Sequence, residues 1–165
     1  MDDPIAAAVV AELEELGVDF ELLDCDPDLA DTATFCAHYG YPLDRSANTI
    51  LVASRKPEGV LALCVVLADS RLDVNNRVRR LMGVRKVSFA PAGLTEEATG
   101  MLIGGVTPFG VPDGLPIWID RTVMDKEWVI LGGGSRSYKI RVSPEVFTLM
   151  ANAEVIDELA QPSEP

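Results

Sequence analysis

The chain has little of the residues on which metal centres, disulfide scaffolds and membrane spans depend. Its 165 residues include one histidine and three cysteines, and no two cysteines form a CxxC pair. An odd number of dispersed thiols indicates neither a disulfide framework nor a zinc site, so we expect no metal and no cofactor. No apolar run approaches the roughly 20 residues that cross a bilayer. The acidic start MDDP is unlike a secretory signal, which favours a cytoplasmic protein that does not engage a membrane.

Positive charge is also scarce, because 14 basic residues stand against 26 acidic ones and the net charge is −12. A surface of this average charge repels a phosphate backbone. One run departs from the average, since five of the basic residues fall within RVRRLMGVRK. The five are Arg77, Arg79, Arg80, Arg85 and Lys86. A solvated helix face is the commoner interpretation of such a run, and a nucleic-acid contact is the alternative.

Helix and strand patterns alternate along the chain without an internal repeat. Capping residues and helical spacing predict helices after Asp3, Asp31 and Asp73, a short helix opened by Thr95 and a final helical region from Ser143. Strand patterns occur in VDFELL, NTILVAS, VLALCVVLA, VRKVSF, PIWID, EWVIL and YKIRV, and the turn RKPEG predicts a hairpin of the second and third. The chain has more strand segments than a regular alternation of strands and helices would give, so we predict a single α+β domain built on a mixed sheet or barrel.

Glycine and proline concentrate in residues 99–120, TGMLIGGVTPFGVPDGLPIWID, which hold five glycines and three prolines. Glycine permits a close approach of the backbone and proline fixes the next bend, so GGVTPFG suits a rigid loop whose amides face a carbonyl or ester oxygen. The alternative is a plain connection between elements. The same two interpretations apply to the GGG at residues 132–134.

The order of several segments along the chain resembles the YbaK family of aminoacyl-tRNA editing proteins. The segments are RSANTILVAS, LALCVVLADSRLD, GVRKVSFA, TGMLIGGVTPFG, IWIDRTV and VILGGGSRSYKIRVSP. They cover roughly residues 5–157, and the pattern TGxLxGGxxPxG is the most specific of them. The resemblance implies one domain with a six-stranded barrel-like sheet flanked by helices. It also implies hydrolysis of the ester that joins a wrong amino acid to the 3′ end of tRNA, with an aminoacyl-tRNA synthetase as a further partner.

The same resemblance implies positions for the site. The family lines its pocket with a Gly-x-x-x-Pro loop, which here is Gly104, Gly105, Val106, Thr107 and Pro108. The family's glycine turn places three further residues near the pocket, and they are Gly132, Gly133 and Gly134. By this resemblance Gly104 and Thr107 are candidate catalytic residues, the other six are candidate substrate contacts, and the basic run is the candidate tRNA contact.

This chain departs from the family pattern at Asn48. Family members carry a lysine there that contacts the terminal adenosine, whereas an asparagine supplies no positive charge. We keep Asn48 as a candidate catalytic residue, and Arg45 is the nearest cation upstream. Cys25 and Asp31 stand where relatives carry pocket aromatics, so we take both as substrate contacts with altered selectivity.

The chemistry that the family implies needs no protein nucleophile, since the substrate itself or a positioned water attacks the ester. We therefore expect the Cys25 thiol to be inert and the single histidine, His38, to be structural or exposed. Three hypotheses remain open. The chain is a trans-acting deacylase of mischarged tRNA, or a silent module that binds an amino acid, a nucleotide or a protein partner, or an interface protein. The sequence favours the first, and an Asn48→Lys change should then raise its activity.

Overall fold

The computed structural model describes residues 2–163 and begins with a helix whose ends carry the expected capping groups. Helix α1 spans Pro4–Leu16, and the side chain of Asp3 accepts a hydrogen bond from the backbone N–H of Ala6. Gly17 ends the helix with φ at 73°. The apolar side of α1 buries Val9 and Leu13 in the main core, as the spacing of these residues predicts.

The other elements follow in chain order. The strands are β1 (Phe20–Asp24), β2 (Ala47–Lys56), β3 (Glu58–Leu67), β4 (Ser70–Leu72), β5 (Lys86–Phe89), β6 (Ile117–Asp120), β7 (Val129–Gly132), β8 (Tyr138–Val142), β9 (Ala153–Ile156) and β10 (Ala160–Pro162). The helices are α2 (Thr32–Tyr39), α3 (Arg79–Met82), α4 (Ala92–Thr99) and α5 (Arg121–Met124). Short 3-10 turns cover Pro27–Leu29, Leu43–Arg45 and Pro144–Leu149, and a π-helical turn covers Val74–Val78. No helix within residues 2–163 combines the length and the apolar content that a membrane crossing requires.

The strands of residues 2–163 pair in three sheets. A five-stranded sheet has the order β5-β2-β3-β6-β9, in which β5, β2 and β3 are antiparallel and β3, β6 and β9 are parallel. An antiparallel three-stranded sheet has the order β1-β8-β7, and β10 pairs with β4. An isolated parallel bridge between Ser46 and Ile130 brings the start of β2 against β7. The two larger sheets therefore meet where β2 begins.

The predicted α+β class with a mixed sheet is confirmed, and so is the β2–β3 hairpin. The pairing refines the expected single six-stranded sheet, because β7 and β8 hydrogen-bond to β1 and form a sheet of their own. Helix α4 begins at Ala92 rather than at Thr95, and the region after Ser143 is a 3-10 turn followed by two strands. The predicted helix after Asp73 is present but starts with a π-helical turn.

Two cores lie on opposite faces of the five-stranded sheet, because successive side chains of a strand alternate between faces. Leu51, Leu63 and Val65 face the core that α1 covers. Val52, Cys64 and Val66 face the core beneath the Val74–Val78 turn. A third and smaller cluster holds α2 against the three-stranded sheet through Phe35, Cys36 and Ile130. The candidate site lies beside this third cluster.

Candidate functional site

A cavity of about 270 Å³ lies where the two larger sheets meet. The N-terminal part of α2 forms one wall, and the first residues of β2 form a second. The glycine loop from residue 103 to residue 106 forms a third wall, and β7 with β8 closes the fourth. Ala90 and Thr95 also line the space, so five segments of the chain meet around it, which is the ordinary setting of a small-molecule site.

The structure brings together some of the residues that the sequence predicts for the site. Those that line the cavity are Asp31, Asn48, Gly104, Val106 and Gly132. Those that are not among its lining residues are Cys25, Gly105, Thr107, Pro108, Gly133 and Gly134. Thr107 is fully buried, and its hydroxyl has no partner within residues 2–163. The Thr107 side chain does not line the cavity, and its catalytic role stays a prediction.

The two glycine segments contact each other through their backbones at the cavity wall. The N–H of Gly134 donates to the carbonyl oxygen of Gly105 at 2.8 Å. A methyl group on Gly132 would overlap the carbonyl oxygen of Val106. Side chains at these positions would push the two loops apart. Close packing of one loop on the other explains why these positions are glycine. Binding of an ester by the loop amides stays a prediction.

Asn48 connects the start of β2 to α2. Its Oδ1 accepts a hydrogen bond from the Thr32 hydroxyl at 2.6 Å. Because Oδ1 is engaged, the amide nitrogen is the group with which Asn48 can donate to a ligand in the cavity. Arg45, the cation expected nearest to this position, places its guanidinium carbon 4.9 Å from the centre of the Trp128 ring and does not line the cavity. Asn48 therefore contributes a neutral donor, and Arg45 does not replace the missing charge.

Among the charged residues that line the cavity, Lys139 is the one that the sequence did not predict. It lies on β8, is 5% exposed and lines the cavity. Its Nζ donates to the carbonyl oxygens of Ala30 at 2.6 Å and of Gly104 at 3.1 Å. Strand alternation in YKIRV assigns Ile140 to the core and Lys139 to the opposite face, which suggests exposure to solvent. Helix α2 covers that face, so the lysine is buried.

The buried position changes the acid–base properties of two groups near the cavity. Burial lowers the pKa of Lys139 below its ordinary value, and the neighbouring Arg136 acts in the same direction. Burial also raises the pKa of the Cys25 thiol, against the opposing effect of Lys139. A thiol with a raised pKa is a weak nucleophile at neutral pH, which agrees with the expectation that Cys25 is inert. His38 is exposed, which is one of the two alternatives, structural or exposed, that the sequence predicts for it.

The basic run lies away from the cavity. Arg77, Arg79 and Arg80 belong to the π-helical turn and α3, whereas Lys86 begins β5. Lys86 pairs with Lys56, which lies five residues along β2 from the cavity residue Leu51, or about 16 Å along an extended strand. Within residues 2–163 no group of three histidine, cysteine or acidic residues is arranged to hold a metal ion.

Residues 26–149 match the family model of the aminoacyl-tRNA editing domain. This match spans most of the chain and includes Asn48, Gly104, Gly132 and Lys139, which all line the cavity. The chain belongs to the aminoacyl-tRNA editing domain family. The resemblance to the YbaK editing proteins is thereby confirmed.

Individual relatives agree with this family and are distant. "Uncharacterized protein YwhH" of Bacillus subtilis is 30% identical over 107 residues, which cover 64% of this chain and 65% of that relative. "Putative Cys-tRNA(Pro)/Cys-tRNA(Cys) deacylase EbsC" of Enterococcus faecalis is 24% identical over 115 residues, which cover 70% and 68%. The alignment thus spans just under two thirds of YwhH and just over two thirds of EbsC.

A solved structure shares the fold over nearly the whole chain. It is described as "a putative trans-editing enzyme for prolyl tRNA synthetase", with a TM-score of 0.81 and 23% identity. The superposition covers 99% of this chain and 100% of the other. At this identity the likeness establishes the architecture, and the chemistry of this chain has to be argued from its own cavity.

Proposed function

We propose that the chain is a trans-acting aminoacyl-tRNA deacylase, which hydrolyses the ester between a wrong amino acid and the terminal adenosine of tRNA. The observation that supports this most directly is the cavity at the junction of the two larger sheets. It lies inside the segment that matches the editing-domain family, and polar groups from α2, β2 and β8 line it together with the glycine loop. We also infer that residues 1–165 act as one editing domain, with a core of about residues 5–157.

The volume of the cavity is sufficient for an acyl group. A cavity of about 150 Å³ holds a benzene-sized molecule, and the cavity described above measures about 270 Å³. This space is suited to a small amino acid together with part of the ribose. The adenine would then lie at the rim, where Ile103 lines the cavity and is 52% exposed.

The nucleophile in this proposal is water. The Cys25 thiol does not line the cavity, and the Ser46 hydroxyl is engaged with the Cys36 sulfur at 3.1 Å. Asn48 would orient the substrate by donating from its amide nitrogen, since Thr32 holds the amide oxygen. Preorganised contacts of this kind act through orientation of the ester and polarisation of its carbonyl group.

The partners follow from the substrate. The 3′ end of an aminoacyl-tRNA would enter the cavity, and the double-stranded acceptor stem would lie outside it. The basic run Arg77 to Lys86 is the proposed contact for phosphates of the stem. The single-stranded 3′ end would span the distance between this run and the cavity. A synthetase that produces the mischarged tRNA is the further partner we propose.

The test is release of amino acids from tRNAs mischarged with alanine, cysteine, serine or threonine. We expect the wild-type chain to deacylate at least one of them faster than the uncatalysed reaction. Asn48→Ala should lower that rate about fivefold, because one hydrogen bond contributes about 1 kcal/mol. Asn75→Ala is the matched control, since Asn75 is exposed and is absent from the cavity lining. Binding of tRNA without any deacylation would contradict the proposal and favour the silent binding module.

A further inference from the structure

We infer that the Lys139 ammonium group binds the negatively charged oxygen that forms on the ester carbonyl during hydrolysis. In this way β8 supplies the positive charge that Asn48 on β2 does not. The inference rests on the deacylase function proposed above and assigns a catalytic residue to it.

The hydrogen bonds of Lys139 hold its Nζ in a defined place. An ammonium group has three N–H donors. Two of them are directed at carbonyl oxygens on different loops, Ala30 at 2.6 Å and Gly104 at 3.1 Å. The Phe35 ring flanks the group with its centre 5.5 Å away. One donor therefore remains for a ligand in the cavity that Lys139 lines.

The charge of Lys139 lacks a paired anion. In the part of the chain that the structure describes, ion pairs join Arg121 to Asp157 and Lys126 to Asp44, and none includes Lys139. A buried cation without a counter-ion is costly, and such groups are normally paired. A transient oxyanion in the cavity would supply the missing negative charge. This arrangement stabilises the charged intermediate more than the neutral ester, which is the condition for faster hydrolysis.

The proposed step balances as an ordinary ester hydrolysis. The water oxygen bonds to the carbonyl carbon, and the C=O electron pair moves onto the carbonyl oxygen, which accepts a hydrogen bond from Lys139. The electron pair then returns, and the bond between the carbonyl carbon and the ribose oxygen breaks. The attacking water loses a proton to solvent, and the ribose oxygen takes up a proton from solvent. The products are the free amino acid and tRNA with its terminal hydroxyl restored.

The first test compares Lys139→Met with Arg136→Met. Arg136 also joins two loops, because Nε donates to Pro27 O at 3.0 Å and its guanidinium donates to Ile103 O at 2.6 Å, yet it does not line the cavity. Both variants lose cross-loop hydrogen bonds, and only one loses the charge in the cavity. We expect Lys139→Met to lower kcat by about 100-fold or more, as the loss of an oxyanion donor does, with KM little changed. Arg136→Met should lose far less kcat than Lys139→Met, and a loss that comes from the rim at Ile103 should appear in KM.

The second test uses two analogues of alanyl-adenosine, one with a neutral amide and one with an anionic phosphonate in place of the ester. The wild-type chain should bind the phosphonate more tightly than the amide. Lys139→Met should lose at least tenfold in affinity for the phosphonate and little for the amide, because only the anion uses the charge. If the wild-type chain releases no amino acid, the proposed function fails together with the catalytic role of Lys139, and this test still decides whether Lys139 binds an anion in the cavity.

The third test needs no variant and covers the case in which Lys139→Met does not fold. The ammonium is charged below its pKa, which burial lowers. The preference for the phosphonate should therefore fall as pH rises, and at a lower pH than an ordinary lysine would give. The other titratable and charged groups that act on Lys139 are Cys25, Arg136, Cys36 and Asp31. A preference that is constant from pH 7 to pH 11, or a folded Lys139→Met protein with wild-type kcat, would overturn the inference.

Discussion

The two residues to which we assign the chemistry of the cavity come from different strands. Asn48 lies near the start of β2 and is neutral, whereas Lys139 lies on β8 and carries a charge into the same space. What a ligand experiences is the set of atoms that face it, whichever strand carries them. A lysine missing from one position therefore does not establish that the cavity lacks a cation.

The Asn48→Lys change should depend on what occupies position 139. In the wild-type background a second ammonium would enter a cavity that already holds Lys139, and like charges oppose each other. We therefore expect kcat to change by less than about threefold, in contrast to the gain that the sequence alone suggests. In the Lys139→Met background the same change should restore at least tenfold of the lost activity. Deacylation rates of the four proteins form the measurement, and equal effects of Asn48→Lys in both backgrounds would contradict it.

Gly132 should tolerate no side chain, because a methyl group there would overlap the carbonyl oxygen of Val106. We expect Gly132→Ala to lower the free energy of unfolding by about 1–3 kcal/mol, the usual cost of overpacking. Gly93→Ala is the control, since a methyl group there meets nothing within 4 Å. Gly93 lies in α4, so its change to alanine should stabilise by about 0.4–1 kcal/mol. Urea unfolding measures both, and equal stabilities would contradict the close-packing explanation.

Among the elements, those with strong local patterns were predictable from the sequence. The capped helix α1 and the β2–β3 hairpin agree closely with their sequence signals. The strands β4 and β10, with the sequences SRL and AQP, hold no β-branched or aromatic residue, and β9 (AEVI) begins with two residues that are depleted in strands, so none of the three carries a strand signal. Lys139 was missed for a different reason. The alternation of β8 assigns its face correctly, but only tertiary packing places α2 over that face.

The segment that carries Arg79 and Arg80 should affect binding of tRNA and leave the chemistry unchanged. We expect Arg79→Ala/Arg80→Ala to weaken binding to tRNA and to reduce the slope of log K against log salt by about 1–2, because two phosphate contacts are lost. Hydrolysis of an aminoacyl ester of adenosine alone should be unchanged, since no residue of the run lines the cavity. Arg71→Ala/Arg121→Ala removes two exposed arginines outside the run and serves as the control. Equal tRNA affinity for the two double variants would exclude the run as the contact.

At the scale of the whole molecule, the three buried clusters differ in size. The two larger clusters share β2 and β3, whose residues alternate between them, so we expect them to unfold together. The cluster beneath α2 has five buried members and borders the cavity. A region with few buried apolar contacts opens at a lower free energy than the core. We therefore expect α2 to separate from the three-stranded sheet without global unfolding, which would give the substrate a way into the cavity.

The three free cysteines report on this opening, because one lies in a large cluster and two belong to the small cluster that holds α2. Cys64 is fully buried, and burial raises its pKa to about 12, so only global unfolding should expose it to iodoacetamide. Cys25 and Cys36 should be alkylated faster, at a rate that depends weakly on urea. The amide analogue of alanyl-adenosine should slow the alkylation of Cys36, because the Cys36 sulfur contacts Ser46, which lines the cavity. Mass spectrometry of each labelled cysteine gives the rates. A single rate for all three, with one steep dependence on urea, would mean that the cavity opens only when the whole molecule unfolds.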